Sequence, residues 1–241
     1  MPDLKPHLRA MTWNIHGCVG SDGCYDAGRV GAVVSALTPD IAAFQEVDSR
    51  RAARHGAPGA GKIYDVLRQL VGDHGHDAWS ISGRDGDYGQ ILASRLPLED
   101  RQVHDISVAG REARKVMSAR IALPAATLRV VATHLGLSRH ERRHQLAALR
   151  EIIAADPATP LLLLGDFNEW FWPRRSQREL FELVGDWTRQ ASFPARFPLF
   201  ALDRICCRPG GLLARTWTHR AARTASDHLP VLAELALPTP R

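Results

Sequence analysis

No stretch of this 241-residue chain approaches the roughly 18 consecutive apolar residues that a membrane-crossing helix needs. Any membrane contact is therefore expected to be peripheral. The opening MPDLKPHLRA has no apolar core, so no secretory leader is read there. Cysteine is scarce. Cys18, Cys24, Cys206 and Cys207 make no CxxC pair, which argues against a zinc site or a disulfide framework. Reduced thiols and a cytoplasmic setting are the expectation. Lysine is rarer still, confined to Lys5, Lys62 and Lys115. The basic excess, a formal net charge of +5 and a pI near 9.4, is thus carried by arginine. Arginine is the better fork for phosphate, and the charge fits an anionic partner such as a phosphate ester, a nucleic acid or a phospholipid surface. No repeat, low-complexity segment or linker divides the sequence, so residues 1–241 read as one domain. That length, 45% hydrophobic, is enough for a sizeable core.

Leu161-Leu162-Leu163-Leu164-Gly165-Asp166-Phe167-Asn168-Glu169-Trp170 is the most informative stretch. Four leucines in a row read as a strand buried on both faces. The run stops at Gly165, and alternation in extended backbone would send Asp166 and Asn168 to the same side. Other strand-like runs end the same way. Arg9–His16 carries Asn14, Ile41–Glu46 ends on Glu46, Leu128–His134 ends on His134, and Asp227 and His228 stand at the last strand. Between them, Asp26 caps a helix bearing Val30, Val33, Val34 and Leu37, which Pro39 stops. Ile63, Val66, Leu67 and Leu70 mark a second helix. Strands are expected at 77–82, 88–94, 103–108 and 116–123, and closing strands at 202–207, 214–218 and 229–237. Ser138-x-x-Glu141 and Ser176-x-x-Glu179 are capping boxes. Residues 48–62 and 193–200 read as irregular loops. Cys206 and Cys207 should point to opposite faces of their strand. The whole suggests two sheets covered by helices.

The polar strand ends define a chemistry. Oxygen ligands without cysteine suit magnesium or manganese. Glu46 supplies one carboxylate and Asp227 a second, while Asn14 and Asn168 can hold a phosphate or a water without adding repulsive charge. Two histidines can serve as general base and phosphate donor, and Asp203 in LDRI could hold His228 in one tautomer. Together they form a kit for phosphoester hydrolysis.

Taken in order, TWNIHG with Asn14, FQEVD with Glu46, ATHLGLS with His134, GDFNEW at 165–170, LDRI with Asp203 and SDHLPV at 226–231 resemble the motif series of the endonuclease/exonuclease/phosphatase superfamily. The resemblance runs from about residue 9 to 237 and looks most like small bacterial members of unassigned substrate. It implies an α/β fold, a DNase I-like four-layer α/β sandwich: two packed, mainly antiparallel or mixed sheets flanked by helices, with the site at their common edge. It also implies a Mg2+ or Mn2+ cofactor held by Glu46, with Asn14 beside it and Asp227 at a second metal position. Asp166 would orient or deprotonate the attacking water and Asn168 would contact the scissile phosphate. His134 would donate to a phosphate oxygen, and His228, held by Asp203, would contact the phosphate or act as base. The choice of base between Asp166 and His228, and the choice of one metal or two, stay open. Tyr88 in DYGQILASR occupies a position where relatives carry a polar or aromatic residue before a Gly and a strand, from which its phenol could reach phosphate, and Arg114 matches a site-edge arginine of many relatives.

The substrate is less legible. QEVD and GDFN differ from the QETK and GDLN usual in exonuclease III-like nucleases, so a phosphodiesterase or phosphatase is expected ahead of a DNA or RNA nuclease. A non-catalytic phosphate- or protein-binding module is the alternative of another class. Glu169-Trp170-Phe171-Trp172-Pro173-Arg174-Arg175 directly follows the leucine strand and is where the substrate is expected, and FPARFPLF at 193–200, with Arg196, precedes Asp203. As rims they would suit a lipid head group or stacked bases. The expected partners are a phospholipid head group, a nucleic acid or a small phosphodiester, met by a monomer.

Overall fold

The computed structural model describes residues 7–54, 63–170 and 175–236. Among them are two six-stranded sheets. β1 (His7–Asn14), β2 (Ile41–Asp48), β3 (His74–Gly83), β4 (Gly86–Ser94), β11 (Leu213–Thr218) and β12 (Val231–Ala236) form the first, in the order β11-β12-β1-β2-β4-β3. The second runs β5-β6-β7-β8-β10-β9, with β5 Glu99–Asp105, β6 Lys115–Ala122, β7 Thr127–His134, β8 Leu161–Asp166, β9 Asp186–Trp187 and β10 Asp203–Arg208. Each sheet is antiparallel except for one central parallel pair, β1 with β2 and β7 with β8. A parallel pair needs a long crossover. In the first sheet this includes α1 (Ala27–Leu37), and in the second it is α4 (Arg139–Ala154). α2 (Ser49–Arg54) and α3 (Ile63–Val71) follow β2, and α5 (Arg175–Val184) follows β8.

The leucine run shows how the layers form. Leu162 and Leu164 face the core between the sheets, with Ala10 and Ala43 from the first sheet, and Met117 and Ile205. Leu161 and Leu163 face outward against Leu146, Leu149 and Ile153 of α4. All four are fully buried, each stabilising the fold by about 1.5–3 kcal/mol. Met11, Trp13 and Phe44 face outward on the first sheet against Val30 and Val34 of α1 and Leu67 of α3. Helix, sheet, sheet and helix make the four layers. Cys206 and Cys207 do point to opposite faces, one under the helices and one between the sheets.

The helix caps lie where sequence puts them. The Asp26 carboxylate accepts from the Arg29 N–H, and Thr38, just before Pro39, ends α1 in a left-handed conformation. Ser138 and Glu141 make the reciprocal capping box of α4.

Some boundaries differ. Residues 49–54 are helical rather than irregular, because Arg-Arg-Ala-Ala-Arg are good helix formers; residues 55–62 lie outside the described residues. β5 begins at Glu99 and ends at Asp105, not 103–108. It is an exposed, charged edge strand whose pairing with β6 sets its limits. β9 is two residues long and carries no periodic signal. α5 starts at Arg175, one residue before the Ser176 expected to cap it.

Candidate active site

The inward faces of the strands are apolar along their length and polar at one end. β7 alternates Leu128, Val130 and Ala132 toward the inter-sheet core, and two residues on comes His134. β8 presents Leu162 and Leu164, then Asp166. β1 presents Leu8 and Ala10, then Thr12 and Asn14. β10 runs the other way, from Asp203 to Ile205 and Cys207. Period-two alternation therefore delivers Asn14, His134, Asp166 and Asp203 to the same end of the space between the sheets. All four are at most 5% exposed. Register fixes the neighbours within the second sheet: Asp166 lies opposite His134 on one side and Asp203 on the other. Gly165 lets β7 and β8 close to this distance, since a Cβ there would lie 2.2 Å from the Thr133 carbonyl oxygen.

Two site residues are placed by breaking the strand pattern. Glu46 sits in a β-bulge between Phe44 and Val47 with φ of 53°. The extra residue keeps both Phe44 and Val47 in the outer core and re-aims Glu46 toward the mouth. Asn168 has φ of 50°. Alternation past β8 does not carry it to the side of Asp166, as its spacing predicts. Instead its backbone N–H donates to Asp166 Oδ1 at 2.8 Å and turns the chain. Its amide then donates to the Leu135 carbonyl at 2.8 Å. Left-handed non-glycine backbone costs of order 1 kcal/mol or more and concentrates at functional sites.

The Asn14 amide ties the sheets together. Its Nδ2 donates to Glu46 Oε1 at 2.9 Å and to Asp166 Oδ2 at 3.0 Å, while its Oδ1 accepts from the His16 N–H. On the other side of Asp166, His228 Nδ1 donates to Asp203 Oδ2 at 2.8 Å, and the Ser192 hydroxyl donates to the same oxygen at 2.6 Å. Ser226 fixes the last loop by donating to the Asn14 carbonyl and accepting from the His228 N–H. The Trp13 indole donates to the His228 carbonyl.

The two histidines are driven to opposite charge states. Burial, then the nearby Arg114 and His228 charges, hold His134 well below the usual imidazole range, so it is neutral. Arg114 Nη1 lies 2.8 Å from Nδ1 of His134 and Asn168 Nδ2 lies 3.2 Å from its Nε2. A neutral ring accepts at one nitrogen only. The guanidinium is charged and closer, and the Asn168 amide already has the Leu135 carbonyl, so Nδ1 accepts and Nε2 carries the proton. That N–H faces the site, 3.7 Å from Asp166 Oδ2. Burial also acts to lower His228, but Asp203, Asp166 and Asp227 outweigh it and raise His228 to about 10. His228 is an imidazolium. Burial and then the Asp203 charge raise Asp166 to about 6, close to neutrality for a group that must take a proton.

The remaining predicted residues divide. Asp227, partly exposed, lies at the rim, 3.7 Å from His16. Tyr88, Arg114 and His134 line one crevice of about 10 Å³, room for about one water. The Tyr88 phenol donates to Glu112 and is raised by burial and the Glu46 charge, and Glu112 also pairs with Arg114 at 3.3 Å. Arg196 is exposed on the 193–200 loop. That loop borders the site: Phe193 packs on the His228 ring at 4.7 Å and on Trp170 at 5.1 Å, and the Ala195 N–H donates to the Asp227 carbonyl. Arg174, with Phe171 and Trp172, lies outside the described residues. Glu169 is turned into the fold. It is buried and 3.6 Å from Arg142, whose guanidinium also holds the Gly136 and Leu137 carbonyls. Ser192, Ser226 and Glu112 were not legible as site residues, because single hydroxyls and acids in polar loops carry no periodic signal.

A metal ion fits this donor set. Glu46 and Asp166 share the Asn14 amide, Asp203 is the register partner of Asp166, Asp203 Oδ1 is buried without a hydrogen-bond partner among the described residues, and the donors are hard oxygens and imidazole with no thiolate. Asp166, Asp203 and His228 have ligand atoms within 4.8 Å of one another. However, His228 Nδ1 and Asp203 Oδ2 are committed to their own hydrogen bond. Glu46, which shares the Asn14 amide with Asp166, is the better metal-facing carboxylate.

The sequence profile of the endonuclease/exonuclease/phosphatase family matches residues 11–228. The chain is 37% identical to the protein YbhP of Escherichia coli K12, over an alignment spanning 98% of this chain and 100% of that protein. An endonuclease/exonuclease/phosphatase from Beutenbergia cavernae superposes with a TM-score of 0.71 at 23% identity, covering 96% of this chain and 72% of that one. The mannosyl-6-phosphatase Bt3783 of Bacteroides thetaiotaomicron gives 0.68 at 18% identity, covering 95% and 100%. These likenesses show the DNase I-like sandwich. Family members generally use divalent metal ions. A profile match over most of the sequence, and a relative this similar along nearly its whole length, establish that the chain belongs to the endonuclease/exonuclease/phosphatase family, whose members are hydrolases of phosphoester bonds.

Proposed function

We propose that the whole chain, residues 1–241, forms one catalytic unit: a Mg2+- or Mn2+-dependent phosphodiesterase or phosphatase whose substrate is a phospholipid head group. The observation that carries the reaction is Asp166, buried 3.7 Å from His134 Nε2 and 4.0 Å from His228 Nδ1 and fastened by Asn14 and Asn168. A divalent ion at Glu46, with Asn14 beside it and Asp227 available for a second, would neutralise charge on the phosphate. Asp166, raised toward neutrality, accepts the proton of the attacking water and so serves as base. Nε2–H of His134 donates to a phosphate oxygen, Asn168 positions the phosphate, and the His228 imidazolium, held by Asp203, stabilises the charge that builds up in the transition state. Tyr88 and Arg114 close one side of the pocket.

The substrate reading rests on the rim. Leu137, Phe197 and Leu199 are 67%, 70% and 74% exposed, more than any other large apolar residue described. All three lie on segments attached to the site, and Arg196 stands beside Phe197. Exposed apolar groups with an adjacent arginine suit a lipid interface better than a nucleic-acid backbone, which calls for a basic track. Purified protein, with and without excess chelator, is assayed on phospholipid vesicles, on a soluble nitrophenyl phosphodiester and on nicked DNA. Metal-dependent release from vesicles, lost in Asp166→Ala, is expected. Equal turnover in excess chelator removes the metal reading. Activity confined to DNA makes the protein a nuclease, and binding without turnover on any phosphoester makes it a binding module.

A further inference from the structure

A second polar pocket opens at the other end of β7. It has a volume of about 320 Å³ and is lined by Asp100, Arg101, Gln102, Ser118, Ala119, Arg120, Arg129 and Asp156. Arg129 is five residues before His134 on one strand, which at about 3.3 Å per residue puts it roughly 17 Å from the catalytic centre. Arg129 shares the outward face of its strand with Val131, which packs under the helices.

The charges in this pocket are unbalanced in a specific way. Arg120 and Arg129 are directly opposed partners on antiparallel β6 and β7, an arrangement of like charges that destabilises a sheet. Arg120 is neutralised: its Nη2 donates to Asp156 Oδ2 at 2.6 Å, and Asp100 lies 3.6 Å away. Arg129 is not. It is only 9% exposed. Its Nη2 donates to the Ile152 carbonyl of α4 at 2.8 Å, but its buried Nη1 has no hydrogen-bond partner among the described residues. A buried guanidinium N–H left unmet is costly. Arg208 adds to the same positive field, and Ser118 and Gln102 contribute neutral hydrogen-bonding groups. Three lining guanidiniums against two lining carboxylates, 3 − 2, leave +1. That balance fits one compact anion rather than a polyanionic strand.

We propose that this pocket is a binding site for a single phosphate group, free or as a small monoester, with Arg129 as its anchor. The phosphate would take the open Nη1 of Arg129 and separate it electrostatically from Arg120. No histidine lines the pocket, and His104, which meets Ser118 through Nε2 at 3.2 Å, has no carboxylate partner among the described residues, so the pocket binds without turnover.

The test needs no turnover. Inorganic phosphate and, separately, glycerol phosphate are titrated by calorimetry into the full chain in excess chelator. The parent is compared with Arg129→Gln, Arg120→Gln, Asp156→Asn and, as an active-site control, Asn168→Ala. Arg129→Gln should weaken binding about tenfold or more, the scale of one charge-assisted contact. Arg120→Gln should weaken it less, Asp156→Asn should tighten it, and Asn168→Ala should leave it at the parent value. Tighter binding of either probe identifies free phosphate or ester as the natural form. Should Arg129→Gln fail to fold, the opposite shifts of Arg120→Gln and Asp156→Asn decide, since both act at the partly exposed edge of the pocket. No saturable binding of either probe, binding abolished by Asn168→Ala, or parent-like binding in all the pocket variants overturns the proposal.

Discussion

Arg114 Nη1 lies 2.8 Å from Nδ1 of His134 and so settles which nitrogen of that ring carries the proton. With Nδ1 accepting from a permanent cation, the ring is neutral and Nε2–H points into the site. Arg114→Ala should lower kcat by about 10- to 100-fold, the usual scale for a misdirected proton donor. Nitrogen NMR of the His134 ring should change from one tautomer to a mixture. An unchanged ring spectrum would show that the arginine is not what orients the histidine.

The Asp203–His228 pair makes stability depend on pH. The folded-state value of His228, about 10, lies above the unfolded value near 6.5. A raised value in a base means stability that is fully present below about pH 6.5 and is lost as pH rises toward 10. Urea unfolding of metal-free protein should therefore show the gap between parent and His228→Asn widest at pH 6 and shrinking toward pH 10. A gap independent of pH would mean the pair contributes through packing alone.

The bulge at Glu46 separates stability from activity. Replacing a left-handed glutamate with glycine relieves about 1 kcal/mol of backbone strain and costs about 0.5–1 kcal/mol in unfolded-chain entropy. Glu46→Gly should therefore unfold within about 1 kcal/mol of the parent while losing metal-dependent turnover by about 100-fold or more. A large loss of stability would show that the carboxylate, rather than the backbone, holds the bulge.

Gly165 tests the spacing of β7 and β8. Gly165→Ala puts a methyl group 2.2 Å from the Thr133 carbonyl oxygen, and overpacking of this kind costs about 1–3 kcal/mol. Denaturant melts should show that loss, and turnover should fall with it because His134 and Asp166 are register partners at the same point. An alanine variant with parent stability and rate would mean the strands separate there without consequence.

The sequence disclosed most where one period governs. The leucine run, the helix caps and the strand-end polar groups were legible because alternation and capping chemistry act locally. Spacing pairs Asp166 with Asn168, but an Asx turn and a left-handed residue place Asn168, not strand alternation. The bulge at Glu46 was invisible because it depends on pairing with β4. Glu169 looked like part of a substrate loop, and only the fold shows it buried against Arg142. The strand β5 was shifted because an exposed edge strand carries little hydrophobic pattern. The sequence also gave no sign of the Arg120–Arg129 opposition, which exists only in cross-strand register.

The polar end of the inter-sheet core has a consequence for how the protein fails. Asn14 and Glu46 belong to one sheet, His134, Asp166 and Asp203 to the other, and one amide bridges them. Loosening the contact between the two sheets by a fraction of an ångström would disconnect the chemistry while every strand stayed paired within its own sheet. Turnover should therefore vanish earlier on heating than far-ultraviolet circular dichroism does, which would make activity a gauge of the protein's interlayer packing.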